Sequence, residues 1–249
     1  MQLKTAWLGL ALLPLSVSLW ASEKQPLAAA VNPLVVAKAV EVGKNLRSLP
    51  KAEVKASITQ DILSPSGQMI QAMGNSTMII DGNNKLYVKI NSDNLNREYF
   101  YNGKQLTQYA PTLRYYTTVD VASNTSDMLN QVKNYYALNI PLKSLFDIGK
   151  DQAALDKLTL AEYVGVSKIN GQLCDHLVFA QAESVWQLWT SRSKPSLPCK
   201  VLITDSSKPN RPALSETYTW NLKPKLNNSE FTFKAKPGDI AIPFKKAAE

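Results

Sequence analysis

Short segments in which apolar and polar residues alternate, separated by clusters of glycine, proline, serine and asparagine, run through most of this 249-residue chain. A period of two puts successive side chains on opposite faces of a strand, so each segment buries one face and wets the other. Val54, Ala56 and Ile58 alternate with Lys55, Ser57 and Thr59, and Leu86, Val88 and Ile90 share one face of Lys85–Asn91. Ser64-Pro65-Ser66-Gly67 and Asp81-Gly82-Asn83-Asn84 are turns that bracket a strand over Gln68–Ile80. The sharpest signal lies in YFYNGKQLTQYAPTLRYYTTVD, Tyr99–Asp120. Asn102-Gly103 between two aromatic runs marks a tight hairpin, because these residues tolerate the positive φ such a turn needs. Ala110-Pro111-Thr112 then turns the chain into a strand over Leu113–Val119. Tyrosine suits a strand with its ring buried and its hydroxyl wet, so the hairpin accounts for most of these aromatics. An exposed tyrosine-rich docking patch is the other reading of the same residues.

The period changes to that of a helix in two places. Asn32-Pro33 is a cap followed by proline at the first helical position, and Val36, Ala39, Val40, Gly43 and Leu46 recur at helical spacing until Pro50. In mid-chain, Asn124 or Ser126 caps Asp127–Ala137, with Met128, Leu129, Val132, Tyr135 and Tyr136 on one face; Leu142–Phe146 and Asp151–Leu158 are short helical candidates. Strands resume over Thr159–Val166, Leu173–Ala180, Val185–Thr190, Cys199–Asp205, Leu214–Leu222 and Glu230–Lys234. The expected fold class is therefore mostly β (α+β). It is a curled antiparallel sheet or incomplete barrel, covered by an N-terminal helix and a mid-chain helical insertion.

The first residues, MQLKTAWLGLALLPLSVSLWASEKQ, show the order of a secretory signal: Lys4, an apolar run from Ala6 to Trp20, then Ala21 and Ser22. The run is short for a membrane span of ~20 apolar residues. Residues 1–21 are expected to be a cleaved signal peptide and 22–31 a linker. One domain is expected over 32–249, a length that suits a single all-β unit. The formal charge of +8 falls to +7 on cleavage, because only Lys4 is lost. The lysines are scattered and form no run of five, so nucleic acid is not an expected partner; peripheral contact with an anionic lipid surface is the better use of this charge. Cys174 and Cys199 fit a disulfide in an oxidising compartment. Strand geometry opposes it. If Leu173–Ala180, Val185–Thr190 and Cys199–Asp205 form a meander, the two cysteines sit on strands ~10 Å apart, beyond bridging range. A bulge or strand end near Ser191–Pro198 reconciles the two.

Little in the chain points to catalysis. The one histidine, His176, lies mid-strand in LCDHLVF, and no G-x-S-x-G elbow, P-loop or dinucleotide glycine fingerprint accompanies it. One histidine and two cysteines make a poor zinc set. The expectation is no enzyme, no metal and no cofactor.

The segment YNGKQLTQYAPTLRYYTTV resembles part of the periplasmic lipoprotein-carrier proteins of the LolA type, and FTFKAKPGDIAIPF resembles their closing segment. From Asn32 to Phe244 the chain is more similar still to a family of predicted periplasmic proteins of unknown function assigned to that fold. FYNGKQLTQYAP, LCDHLVFAQ, VWQLWTSRSKPSLPCKVLIT and TYTWNLKPKLNNSEFTF are the blocks that carry this. The resemblance implies a partly closed antiparallel barrel whose covering helices enclose an apolar cavity. It implies periplasmic location and binding of a lipid, a lipoprotein acyl chain or another hydrophobic molecule. An envelope protein docked on the same fold is the alternative partner. The carrier family also implies an arginine that helps hold a lid shut; Arg47, Arg97 and Arg114 are the candidates, and the sequence assigns the role to none of them. Alternating faces nominate the cavity lining as Val54, Ala56, Ile58, Leu86, Val88, Ile90, Phe231 and Phe233 from strands, with Val36, Val40, Met128 and Val132 from helices. For each of these, packing in dry core is the more usual role, since most apolar strand faces are simply packed. Trp186 and Trp189, three apart on a strand, point to opposite faces, so at most one reaches the cavity.

Overall fold

A computed structural model describes residues 31–244 apart from 94, 139, 141 and 142, and apart from the side chains of 143 and 144. The expected signal peptide and nearly all of the expected linker lie outside the described residues, as does the start of the second short helix at Leu142. The chain builds one twelve-stranded sheet from two antiparallel meanders. The first comprises β1 (Lys51–Leu63), β2 (Met69–Asp81), β3 (Leu86–Ser92), β4 (Asn96–Tyr101), β5 (Gln105–Ala110) and β6 (Tyr115–Asp120). The second comprises β7 (Leu160–Ile169), β8 (Gln172–Gln181), β9 (Ser184–Ser191), β10 (Pro198–Asp205) and β11 (Ala213–Asn221). Pairing of β1 with β11, in the register Ala56 to Tyr218, joins them. The predicted hairpin forms, with Gly103 at φ 89° and Asn102 Oδ1 accepting from the backbone N–H groups of Lys104 and Gln105.

The sheet is open. Its edges are β7 and the short β12 (Ile240–Ala241), which adds to β6 in parallel. Helices pack on one face: α1 (Pro33–Arg47), α2 (Thr125–Tyr136), α3 (Lys143–Asp147) and α4 (Gln152–Leu155). A single apolar cluster unites α1 (Val35, Ala39, Val42, Leu46), α2 (Met128, Leu129, Val132) and Leu145 of α3 with strand residues from Leu106 of β5 to Leu177 of β8. Flat, the nine strands from β5 to β8 would span roughly 40 Å at about 4.8 Å each. Helices α1 and α2 are only about 22 and 18 Å long at 1.5 Å per residue. One continuous cluster therefore requires the sheet to curl around them, as the pattern of short strands leads one to expect.

Two expectations fail. Glu230–Lys234 is not a strand. Asn228–Phe231 is a 3-10 turn closed by a capping box, in which Asn227 accepts from the backbone of the turn and Glu230 reaches back to the Asn227 N–H. That local hydrogen bonding outweighs the Phe-x-Phe alternation, and the chain then runs as a strap over the helix-free face. Phe233 packs there against Phe100, Tyr109 and Tyr116, with ring centroids 4.9–5.5 Å apart. Asp239 fastens the strap by accepting from Tyr109 Oη and Arg114 Nε. The other correction is at Leu113 and Arg114, which belong to the β5–β6 turn, with Arg114 at φ 59°.

Candidate functional site

The tyrosine-rich stretch is not a surface platform. Tyr99 and Tyr101 are buried under the helices, and Tyr109 and Tyr116 are covered by the strap. Tyr101 donates to the Ala122 carbonyl at 2.7 Å, and burial pushes its hydroxyl pKa up to about 12.

The disulfide is formed, with Cα atoms 6.6 Å apart. Cys174 and Cys199 do lie on strands that flank β9, as the meander requires. The register between β9 and β10 slips between Pro198 and Lys200, so Cys199 is an extra residue on a bulge. Cys174 pairs with Ser191, the last residue of β9. The bridge thus passes the end of the intervening strand instead of crossing it. Cys174 and Cys199 join Trp189 on the helix-free face, where Trp189 stacks on His176 at 4.0 Å and Lys200 Nζ lies 5.2 Å from its ring. His176 Nε2 is hydrogen-bonded to Gln187 Oε1 at 2.9 Å. Trp186 turns the other way and stacks on Phe179 at 3.9 Å beneath the helices.

Of the nominated lining, Val54, Ala56, Leu86, Val88, Ile90, Met128 and Val132 are buried in close-packed core, Val36 and Ile58 are half-buried at its margin, and Val40 is half-buried beside Gly149. Phe231 and Phe233 lie on the opposite face of the sheet, where they wall a small polar cleft of about 180 Å³. None of the other ten lines either of two apolar pockets that lie among the described residues on the helix-covered side. These pockets lie at the margin of the core, on either side of α3. The first holds about 330 Å³, has Leu46, Leu49, Ile80, Leu129 and Phe146 as its apolar wall, and carries Arg47, Asn83, Asn124, Ser126, Asp147 and Lys150 at its rim. The second holds about 240 Å³ between α3–α4 and the sheet; Leu145, Ile148, Leu155, Trp186, Val201 and Ile203 line it with Asp147, Asp151 and Gln181. For the first pocket, sequence reasoning finds the faces but not the ends of the elements. Ile80 is two residues beyond Met78 on one strand face, Leu129 adjoins Met128, and Leu46 continues the buried line of Ala39 and Val42 at the last turn of α1.

The wall shared by the two pockets is held by its edges. Helices of five and four residues do not persist on propensity alone. Arg47 Nη1 donates to the carbonyls of Phe146 and Ile148, each at 2.9 Å. Partial burial pushes the Arg47 guanidinium pKa down, and nearby Asp147 opposes that shift. Lys150 Nζ donates to Ser126 Oγ at 2.7 Å, and Gln181 Nε2 donates to the Ala154 carbonyl at 2.9 Å. Glycine makes the close approach to α1 feasible: a Cβ on Gly43 would lie 1.8 Å from the Ile148 carbonyl oxygen, and Gly149, at φ 60°, faces Val40. Of the other two candidate arginines, Arg97 bonds its neighbour's carbonyl and Arg114 the strap.

Among the described residues, one carboxylate is buried on the helix-covered face. Glu216, 4% exposed, lies between Ile58 and Val201 and accepts from Tyr218 Oη at 2.6 Å. Burial pushes its pKa up, and the Tyr218 hydrogen bond opposes the shift.

The family described as "Predicted periplasmic protein (DUF2092)" matches residues 39–245. No curated protein matches the chain. Among solved structures, the lipoprotein LppX of Mycobacterium tuberculosis is similar at 12% identity over 79% of this chain and 100% of that one, with a TM-score of 0.44. A LolA superfamily protein of Nitrosomonas europaea aligns at 12% identity over 82% and 99%, with a TM-score of 0.34. The MucA/MucB complex of Pseudomonas aeruginosa contains a chain similar at 12% identity over 81% and 61%, with a TM-score of 0.36. The chain belongs to the DUF2092 family of predicted periplasmic proteins.

Proposed function

From membership of that periplasmic family and the geometry beside α3, we propose that the protein is exported by its N-terminal signal and acts in the periplasm as a non-catalytic carrier. Its ligand is hydrophobic, a lipid or the acyl chain of a lipoprotein or acylated peptide, held between the curled sheet and its helices. The observation that carries this reading is the pair of apolar pockets on either side of α3, a five-residue helix held by edge hydrogen bonds, with the four-residue α4 walling the second pocket. Apolar pockets with a few polar groups at the rim suit a hydrophobic ligand, and elements of low local stability are the ones that move to admit it. Arg47 is the latch of this wall, because it alone of the three candidate arginines bonds α3 and the turn after it.

Native mass spectrometry of protein purified from a periplasm, followed by organic extraction, tests the proposal. A co-purifying lipid of defined mass is the expected result. A clean ligand-free mass, with no uptake of added phospholipid or acylated peptide, overturns it.

A second reading, docking of an envelope protein, has its own observation. The β1–β2 hairpin outruns its neighbours: β1 pairs with β2 as far as Leu63, but with β11 only to Gln60, and β3 leaves β2 at Gly74. Leu63, Met69, Ile70 and Met73 are exposed on this arm. Ile70→Asp with Met73→Asp is expected to abolish capture of such a partner and leave ligand uptake intact.

A further inference from the structure

The two pockets share an apolar character and the carboxylate of Asp147, yet differ in charge. Among the described lining residues the first has two cations, Arg47 and Lys150, against one acid, and the second has Asp147 and Asp151 and no cation. We propose that the first pocket seats a single-chain amphiphile with an anionic head, carboxylate or phosphate, placed against Lys150 and Arg47 with its tail along Leu46, Ile80, Leu129 and Phe146. This rests on the carrier reading and names the ligand class of one site within it.

Three features support the assignment. The cations are pre-positioned: Arg47 is anchored by two carbonyls, and Lys150 is held against Ser126 at the N-terminal end of α2. An ammonium has three donors, so the bond to Ser126 Oγ leaves two to turn toward an anion. The frame around them is rigid, since Thr125 donates from both its backbone N–H and its hydroxyl to the Asn83 carbonyl and so ties α2 to the β2–β3 turn. The volume, about 330 Å³, lies at the small end of the ~300–1,000 Å³ range of ligand pockets, which suits one chain rather than two. Asp151, which lines the second pocket and not the first, repels the same head, so charge sorts anionic amphiphiles to the side of α3 that carries Arg47 and Lys150.

The test uses the mature protein, with delipidation beforehand, and titrates laurate, dodecyl phosphate, dodecanol and dodecylamine by calorimetry. Laurate and dodecyl phosphate are expected to bind at least about tenfold more tightly than dodecanol, as one charge-assisted hydrogen bond at a half-wet mouth warrants. Lys150→Gln, at an exposed position, is expected to remove about that factor for both anions and to leave dodecanol unchanged. Asn130→Trp, which fills the rim of the pocket, is expected to block all of them, and Ala154→Trp, at the second pocket, to block none of the anions. Equal binding of laurate and dodecanol with no effect of Lys150→Gln overturns the anionic head and leaves the carrier reading standing. Dodecylamine binding more tightly than laurate overturns it as well. Uptake of no chain at all, by a protein with an unchanged melting temperature, overturns both.

Discussion

Trp186 and Trp189 lie on one strand three residues apart, and the fold uses them oppositely. Trp186 stacks on Phe179 under the helices and walls an apolar pocket. Trp189 stacks on His176 beside a disulfide, with Lys200 over its ring. The helix-covered face is held by apolar packing, which loosens toward α3 into two pockets. The other face is held by staples: the disulfide, the Trp189 stack, and an aromatic strap fixed through Phe233 and Asp239.

That contrast makes ordered predictions. Phe179→Ala removes a fully buried ring from the helix-covered face, and denaturant unfolding is expected to show a loss of about 3–5 kcal/mol. Cys174→Ser with Cys199→Ser opens a loop of sequence separation 25 and is expected to cost about 3 kcal/mol in the same assay, with reductant no longer affecting the variant. If the disulfide variant loses more than Phe179→Ala does, the stapled face and not the packed one dominates stability. Gly43→Ala drives a methyl into the Ile148 carbonyl and is expected to cost about 1–3 kcal/mol, the usual range for overpacking. Hydrogen exchange should place that change in α3 and the turn after it. No change in exchange there would refute the wall as a movable element.

Glu216→Gln is the smallest expected effect. Burial raises the Glu216 pKa in the folded chain, so the folded state binds more protons than the unfolded one just above the ordinary carboxylate range. Its contribution to stability therefore falls as pH rises through that window. The glutamine variant is expected to melt slightly higher than the parent at neutral pH and to match it more closely in acid, as read from melting temperatures across pH. The opposite ordering would mean that the Tyr218 hydrogen bond, not burial, governs the site.

Much of the architecture is legible in the sequence. Asn102-Gly103 announces its hairpin because positive φ is a property of the residues themselves. The α2 stripe of Met128, Leu129 and Val132 reads directly, and the opposed tryptophans follow from period two. In α1 the buried line is Val35, Ala39, Val42 and Leu46, with Val36 and Val40 half-buried beside it, a rotation that neighbouring elements set. Phe231 and Phe233 mislead because two residues of alternation do not separate a strand from a strap. The Asn227-x-x-Glu230 capping box is the readable signal against a strand. The pocket walls are not legible, since the same faces supply both packed core and open lining.

By itself the sequence determined what is local: which residues extend, which turn, which coil, and which side chains share a face. These follow from φ and ψ preferences and from the geometry of two- and 3.6-residue periods. Only the tertiary structure decided which strands became edges, that β12 joins in parallel, and that a bulge brings Cys199 within reach of Cys174 past the end of β9. It also decided where helices too short to fill the curl leave space at α3. Those outcomes depend on distances between segments far apart in the chain, which no local preference encodes.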